Sequence, residues 1–277
     1  MTKTIFFLGL GGYFLLTEAI YWGPWSGAAV DLLRNILYLV GPAVAVLSGV
    51  WTVRGFGWGS RAAGSLLLLT LGIGSWFVGE VAWMWYQLIL KTDPFPSLAD
   101  LFYLVGYPLL AVSLWREIGL AGGVWTRQRT RVVIWSTLVG AMLGFLVFFL
   151  RLTSGEAGAS LFEHSVAIAY AVGDVILLAA SFVALLFVRE YRGGRKAEFW
   201  LVLGSGFMAT LVADTLFAIY TQEYEAGMLF YRNVLDALWI AGYILFAIAF
   251  VQLGWFLREV QHRVKKKLEI DKGGETQ

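Results

Sequence analysis

Eight long apolar stretches, separated by short polar connectors, constrain this chain more than any other feature. A helix that crosses a bilayer needs about 20 consecutive, mainly apolar residues. Hydrophobic residues make up 59% of the 277 residues and charged residues 14%, against roughly 45–50% and about 25% in soluble domains. Such a chain has too few polar groups to cover a soluble surface, which excludes a soluble enzyme, a disordered chain and a nucleic-acid-binding module. We predict an all-α, polytopic membrane protein with spans at 4–22, 31–53, 62–89, 98–118, 132–152, 165–188, 199–221 and 234–257.

The basic residues predict how these spans are oriented. With a cytoplasmic N-terminus, 17 of the 21 Lys and Arg residues lie on the cytoplasmic side. The four exceptions are Arg34, Lys91, Arg151 and Arg232. This bias satisfies the positive-inside rule, and an even number of spans places both termini in the cytoplasm. We therefore expect a transmembrane domain over 1–257 in the cell membrane, followed by a basic cytoplasmic tail over 258–277. The tail either contacts anionic lipid headgroups or carries a signal.

The sequence also contains an internal repeat. The segment Asp-Leu-Phe-Tyr-Leu-Val-Gly-Tyr-Pro-Leu that starts at Asp100 matches Asp-Ala-Leu-Trp-Ile-Ala-Gly-Tyr-Ile-Leu, which starts at Asp236. One span earlier, Glu80 in Val-Gly-Glu corresponds to Asp214 in Val-Ala-Asp. We predict two four-helix halves, about 1–120 and 130–257, in the same orientation. An axis along the membrane normal would relate them, and a cavity between the halves is expected.

Three acidic residues, Glu80, Asp174 and Asp214, lie well inside predicted spans. A carboxylate near mid-membrane costs about 2.5–3.5 kcal/mol on insertion scales, so it normally faces a bundle interior, a partner or a water-filled cavity. We expect the three acids to line one outward-facing polar cavity. Two alternatives stay open. The acids could form interhelical hydrogen bonds that serve packing, or they could pair with Arg34, Arg151 or Arg232.

Aromatic residues accompany the acids at helical spacing, which places each group on one helix face. The three groups are Trp76, Glu80 and Trp83; Asp100, Tyr103 and Tyr107; and Asp236, Trp239 and Tyr243. Carboxylates among aromatic rings suit a cationic or amphipathic ligand, which they hold by charge and cation–π contacts. The predicted ligand-binding residues are Glu80, Asp100, Asp174, Asp214, Asp236, Tyr103, Tyr107, Trp239, Tyr243 and Trp83.

Two structural alternatives apply to these positions. Ser97-x-x-Asp100 and Asn233-x-x-Asp236 both resemble capping boxes at helix starts, and Trp residues commonly mark membrane interfaces. The chain has no Cys and only two His residues, so we predict no metal site. The residues identify no cofactor.

The segment Pro-Ser-Leu-Ala-Asp-Leu-Phe-Tyr-Leu-Val-Gly-Tyr-Pro-Leu from Pro96 resembles a block in multi-pass membrane regions N-terminal to bacterial GGDEF diguanylate cyclases and histidine kinases. In that family the block reads P-S-x-A-D-x-[FW]-Y-L-x-x-Y-P-L. Gly-Asp-Val-Ile-Leu-Leu from Gly173 is similar to a second block of that family, G-D-[VL]-x-L-L. The resemblance implies a sensory role in signal transduction. No GGDEF or kinase domain follows the last span in this sequence, so we expect a membrane or cytoplasmic signalling partner in trans.

These observations favour a sensory or regulatory membrane module that binds a small ligand or cation, with the lipid bilayer around it and no nucleic-acid partner. One alternative is a proton- or cation-coupled transporter that uses Glu80, Asp174 and Asp214, as paired repeats and intramembrane acids suggest. Another is an accessory or scaffold subunit of a membrane complex. We expect no enzyme and no catalytic residues. The remaining enzymatic alternative, an intramembrane aspartyl hydrolase, would need a second carboxyl close to Asp174.

Overall fold

A computed structural model describes residues 3–92, 94–120, 160–189 and 195–274, together with scattered positions between 127 and 149. The described part is helical and contains no strand, which confirms the all-α prediction. The helices are α1 (Lys3–Trp22), α2 (Ala28–Phe56), α3 (Arg61–Trp85), α4 (Leu98–Leu120), α5 (Leu161–Arg189), α6 (Arg195–Ile219), α7 (Thr221–Glu225) and α8 (Leu229–Gly274). A π-helical turn, Tyr86–Leu90, extends α3.

Seven helices in the described part of the chain are long and apolar enough to cross a membrane. They are all of the helices named above except the five-residue α7. Their outward faces carry large exposed apolar side chains, such as Leu8, Trp115 and Leu161, which are 70%, 77% and 84% exposed. Lipid suits such a surface better than water does, so the architecture is compatible with a multi-pass membrane protein. The span predicted at 132–152 lies largely outside the described residues.

Six of the long helices form a closed ring. Around this ring α2 packs on α3, α3 on α4, α4 on α5, α5 on α6, α6 on α8, and α8 back on α2. The first helix lies outside the ring against α2 and α8. Only Leu10, Thr17 and Tyr21 of α1 are buried, so α1 is less embedded than the helices of the ring.

Glycines allow two pairs of helices in the ring to cross closely. Where α3 crosses α4, a Cβ on Gly72 would lie 3.2 Å from the carbonyl oxygen of Gly106. Where α6 crosses α8, a Cβ on Gly206 would lie 3.2 Å from the carbonyl oxygen of Gly242. Small residues at helix crossings let two backbones approach each other in a membrane. Both crossings therefore depend on the absence of a side chain.

Turn and cap residues explain where α2 ends and α3 begins. Gly57 follows α2 with a φ of +77°, a conformation that glycine adopts without the clash that a Cβ would cause. The Ser60 side chain then accepts a 3.1 Å hydrogen bond from the Ala63 N–H, which caps α3. The connector between the two helices is consequently short.

The last helix differs from its predicted extent. The sequence predicts a span over 234–257 and a basic tail that can extend this helix by about three turns, whereas α8 begins at Leu229 and continues without a break to Gly274. The tail is therefore helical over most of its length. Because the segment remains one helix, its N-terminal end lies with the connectors of the bundle and its basic end projects beyond the opposite side.

Candidate functional site: an acidic and aromatic cavity

A cavity of about 1050 Å³ lies at the end of the bundle where α8 begins. The C-terminal ends of α1, α3 and α6, the N-terminal ends of α2, α4, α5 and α8, and all of α7 line it. Eight carboxyl groups, two guanidinium groups and twelve aromatic side chains face it, so its charge is predominantly negative. The acids are Asp31, Glu80, Asp100, Glu163, Asp214, Glu223, Glu225 and Asp236.

Glu80 accepts hydrogen bonds from tyrosines on three other helices. Tyr243 of α8 and Tyr103 of α4 donate to its Oε1 and Oε2, each at 2.9 Å. Tyr38 of α2 makes a weaker, 3.4 Å contact with Oε1. Glu80 itself belongs to α3 and is 8% exposed. Four helices of the ring therefore meet at one buried carboxylate.

Glycines beside two of the acids make room for the tyrosines that bind them. A Cβ on Gly79 would lie 2.7 Å from the Tyr103 ring, and a Cβ on Gly173 would lie 2.4 Å from the Tyr107 ring. Each ring can therefore pack directly on the neighbouring helix backbone. Its hydroxyl then reaches the acid that follows the glycine, and Tyr107 donates to Asp174 in this way.

Three more acids of the lining also accept hydrogen bonds from aromatic side chains on neighbouring helices. Tyr170 donates to Asp100 at 2.7 Å, Trp239 Nε1 to Asp214 at 2.8 Å, and Tyr224 to Asp236 at 2.9 Å. Neutral donors of this kind stabilise a carboxylate without cancelling its charge. The cavity thus combines satisfied acids with a negative interior, which suits a positively charged ligand.

The two capping-box alternatives have different outcomes. Asp100 Oδ2 accepts hydrogen bonds from the Ser97 N–H at 2.6 Å and hydroxyl at 2.8 Å, and Ser97 Oγ accepts from the Ala99 N–H at 3.1 Å. This is a capping box at the start of α4. The capping interpretation is wrong for Asn233, because α8 already begins at Leu229. Asn233 Nδ2 instead donates to the carbonyl oxygen of Tyr21 in α1, at 3.0 Å.

Helix α7 forms a short strap that lines the cavity. Its Tyr224 packs on Phe217 and Trp239, with ring centroids 5.3 and 6.0 Å apart. Burial of the hydroxyl, together with the nearby Asp236 carboxylate, raises the pKa of Tyr224 well above its usual value. The hydroxyl therefore stays protonated and donates to Asp236. Gly227, with a φ of +71°, lets the chain turn from this strap into α8.

Arg34 lines the cavity and is 7% exposed. Its Nη2 donates to the carbonyl oxygens of Ile20, Tyr21 and Trp25, each at 3.3 Å. Its Nη1 lies 3.7 Å from the Asp31 carboxylate. The side chain thus holds the C-terminal end of α1 against α2. A cation at this position also interacts favourably with the negative, C-terminal end of the α1 helix dipole.

Nine of the ten residues that the sequence predicts as ligand-binding line this cavity. They are Glu80, Trp83, Asp100, Tyr103, Tyr107, Asp214, Asp236, Trp239 and Tyr243. Asp174 is the exception: it is 5% exposed, is not part of the lining and binds the Tyr107 hydroxyl. The expectation that all three deep acids line one cavity is therefore wrong for Asp174, because its helix turns it towards α4.

Sequence reasoning missed several residues of the site. Tyr38 and Tyr170 donate to cavity acids. Tyr170 precedes the predicted site residue Asp174 by four residues, so helical spacing was a usable signal for Tyr170. Tyr224 lies in a connector, where no periodic pattern identifies it. The predicted partner Arg151 lies outside the described residues.

Within the described ranges, no group of three or more His, Asp and Glu side chains is placed to hold a metal ion. The lining instead combines carboxylates with aromatic rings, and this favours an organic ligand. Comparison with protein-family models, with curated proteins and with solved structures found no match for the chain.

Proposed function

We propose that the protein is a membrane sensory module that binds a small ligand or cation in the acidic, aromatic cavity and acts through a partner in trans. The observation that most supports this proposal is that α2, α3, α4 and α8 are joined by hydrogen bonds at Glu80. A ligand shifts a conformational equilibrium when it makes different contacts in the two states. A ligand at Glu80 competes with, or adds to, bonds that fix these helices relative to one another.

The continuity of α8 supports a route for the signal. Tyr243 contacts Glu80 from the N-terminal third of this helix. The same helix extends to Gly274 and exposes the basic residues Arg258, Arg263, Lys265 and Lys266. A shift of α8 at the cavity therefore moves its projecting end, which is the surface we assign to the partner. The resemblance to sensory membrane regions agrees with this role.

The interior below the cavity favours a receptor over a transporter. Trp76 lines the cavity and packs on Phe207 and Phe246, with ring centroids 6.4 and 6.3 Å apart. Beyond these rings the core contains fully buried apolar side chains, including Leu66, Leu110 and Phe250. A transported cation would have to cross this apolar layer. Transport would therefore need a second conformation with different core packing.

The proposal includes eight spans in two parallel halves. Two features support the repeat. The crossing through Gly72 and Gly106 matches the crossing through Gly206 and Gly242 at equivalent positions. The bond from Tyr103 to Glu80 likewise matches the bond from Trp239 to Asp214. The first span of the proposed second half is the one predicted at 132–152, which lies largely outside the described residues.

The proposed orientation places the cavity outside and both termini in the cytoplasm. The chain has no Cys, so a thiol reagent can label it only at an introduced cysteine. Two single substitutions at exposed positions serve as probes, Gln222→Cys and Lys265→Cys. We expect a membrane-impermeant maleimide added to intact cells to label Gln222→Cys. Lys265→Cys should label only after permeabilisation. The opposite labelling pattern would reverse the orientation.

The binding function is tested by native mass spectrometry of the protein extracted mildly from its own membrane. Glu80→Gln removes the charge and keeps the shape of the side chain. Glu198→Gln, at an exposed position far from the lining, is the matched control. We expect wild type and Glu198→Gln to retain the same small molecule. The affinity of Glu80→Gln for it should be at least tenfold lower, because hydrogen bonds to charged groups contribute about 1.5–3 kcal/mol.

Other outcomes of that measurement separate the alternatives. Another polypeptide bound equally to all three proteins would favour an accessory or scaffold subunit. A bare mass from all three would contradict tight ligand binding, and cation flux in liposomes would then test the transporter. Ligand loss in Glu198→Gln as well would show that the Glu80→Gln result is not specific to the cavity.

A further inference from the structure

The hydrogen bonds at Glu80 leave room for one more donor. An ionised carboxylate offers about four acceptor directions, two on each oxygen. Tyr38 and Tyr243 both approach Oε1, whereas Tyr103 alone approaches Oε2. One acceptor direction on Oε2 is therefore left for a ligand. A ligand that uses it must carry a hydrogen-bond donor, and a positive charge would strengthen the bond.

Aromatic residues lie near this acceptor. The rings of Tyr38, Tyr103 and Tyr243 are joined to Glu80 through their own hydroxyls, and Trp76 lines the same cavity. A cation within about 6 Å of a ring centroid gains a cation–π attraction, which is larger in a desolvated site. A cationic donor at Oε2 thus meets a negative charge, and aromatic side chains line the same cavity close by.

The size and composition of the cavity favour an organic cation over an inorganic one. Ligand pockets for small organic molecules measure about 300–1,000 Å³, and this cavity measures about 1050 Å³. Divalent metal ions prefer several oxygen or nitrogen ligands together, and the described residues hold no such group of three. The space and the aromatic lining are suited to the carbon skeleton of an amine.

We propose that the cavity binds a small organic ammonium compound with at least one N–H, which donates to Glu80 Oε2 while its carbon skeleton lies among Tyr38, Tyr103, Tyr243 and Trp76. This inference rests on the proposed binding function and assigns the chemical class of its ligand. Protonated primary, secondary and tertiary amines all satisfy the assignment. Quaternary ammonium compounds have no N–H and use only the charge and the rings.

The test is isothermal titration of the full chain, in lipid nanodiscs, with three probes of similar shape. The probes are 2-phenylethylammonium, its N,N,N-trimethyl counterpart and 3-phenylpropanoate. We expect the primary ammonium to bind most tightly, the trimethyl probe about tenfold or more weakly, and the carboxylate not at all. In Glu80→Gln the primary ammonium should lose about 10- to 100-fold in affinity. Glu198→Gln should bind like wild type.

A second variant guards against misfolding of Glu80→Gln. Tyr103→Phe keeps the ring and the acid but frees the second acceptor direction on Oε2, so binding of the primary ammonium should be retained or improved. Equal or tighter binding of the trimethyl probe would overturn the N–H assignment. Full affinity in Glu80→Gln, or loss of binding in a folded Tyr103→Phe, would overturn the assignment of Glu80 as the residue that binds the ammonium group. If native mass spectrometry instead found a non-amine that Glu80→Gln loses, this inference would fail while the proposed function stood.

Discussion

Gly72→Ala should leave the protein about 1–3 kcal/mol less stable than Gly74→Ala. The Gly74 substitution lies two residues along the same helix and should itself be neutral or stabilising. A Cβ on Gly72 would lie 2.5 Å from Leu110 Cγ and 3.2 Å from the Gly106 carbonyl oxygen. Leu110 is fully buried and cannot move aside without disturbing the core. Overpacking of this kind typically costs about 1–3 kcal/mol. A Cβ on Gly74 meets only Val46, at 3.9 Å.

The comparison isolates crowding because both substitutions make the same change to helix propensity, which favours Ala over Gly by about 1 kcal/mol. The measurement is reversible unfolding in mixed micelles, followed by circular dichroism. A second pair tests the equivalent crossing: Gly206→Ala would place a Cβ 2.5 Å from Phe246, whereas Gly204→Ala would meet only Ser181, at 3.7 Å. Equal stability within each pair would show that neither crossing depends on its glycine.

Local patterns predicted much of this protein. Apolar stretches long enough to span a bilayer identify helices without reference to any other part of the chain, and the described helices follow them. Helical spacing likewise placed Trp76, Glu80 and Trp83 on one face, and all three line the cavity. Such inferences succeed because they depend only on the geometry of a single helix.

The errors arose where the answer depends on which helices become neighbours. Asp174 has an apolar helical context like that of the other deep acids, but only the packing of α5 on α4 brings it to Tyr107. Asn233 fits a cap by spacing, but α1 supplies the Tyr21 carbonyl that it binds, and the helix begins earlier. Sequence periodicity gives the face of a residue on its own helix. It does not give the helix that this face contacts.

Arg34→Leu should release the C-terminal end of α1 from the bundle. The guanidinium donates to three backbone carbonyl oxygens, those of Ile20, Tyr21 and Trp25. The Ile20 and Tyr21 carbonyls lie in the last turn of α1, which ends at Trp22, so no further turn of the helix supplies N–H donors for them. Hydrogen bonds to a charged group contribute about 1.5–3 kcal/mol. Leu has a similar apolar bulk and no donor, so the carbonyls lose this partner.

The effect should be local, because α1 lies outside the ring and buries few residues. Hydrogen–deuterium exchange read by mass spectrometry should show amides in 16–27 exchanging about 10- to 100-fold faster, as the lost free energy implies. Peptides from α3 and α4 should change little. Arg61→Leu, at an exposed position at the start of α3, is the control for removing an arginine. Equal exchange of 16–27 in the two variants would contradict the role of Arg34. Faster exchange throughout the bundle would instead mean that α1 supports the whole ring, and the separation between α1 and the cavity-forming helices would be wrong.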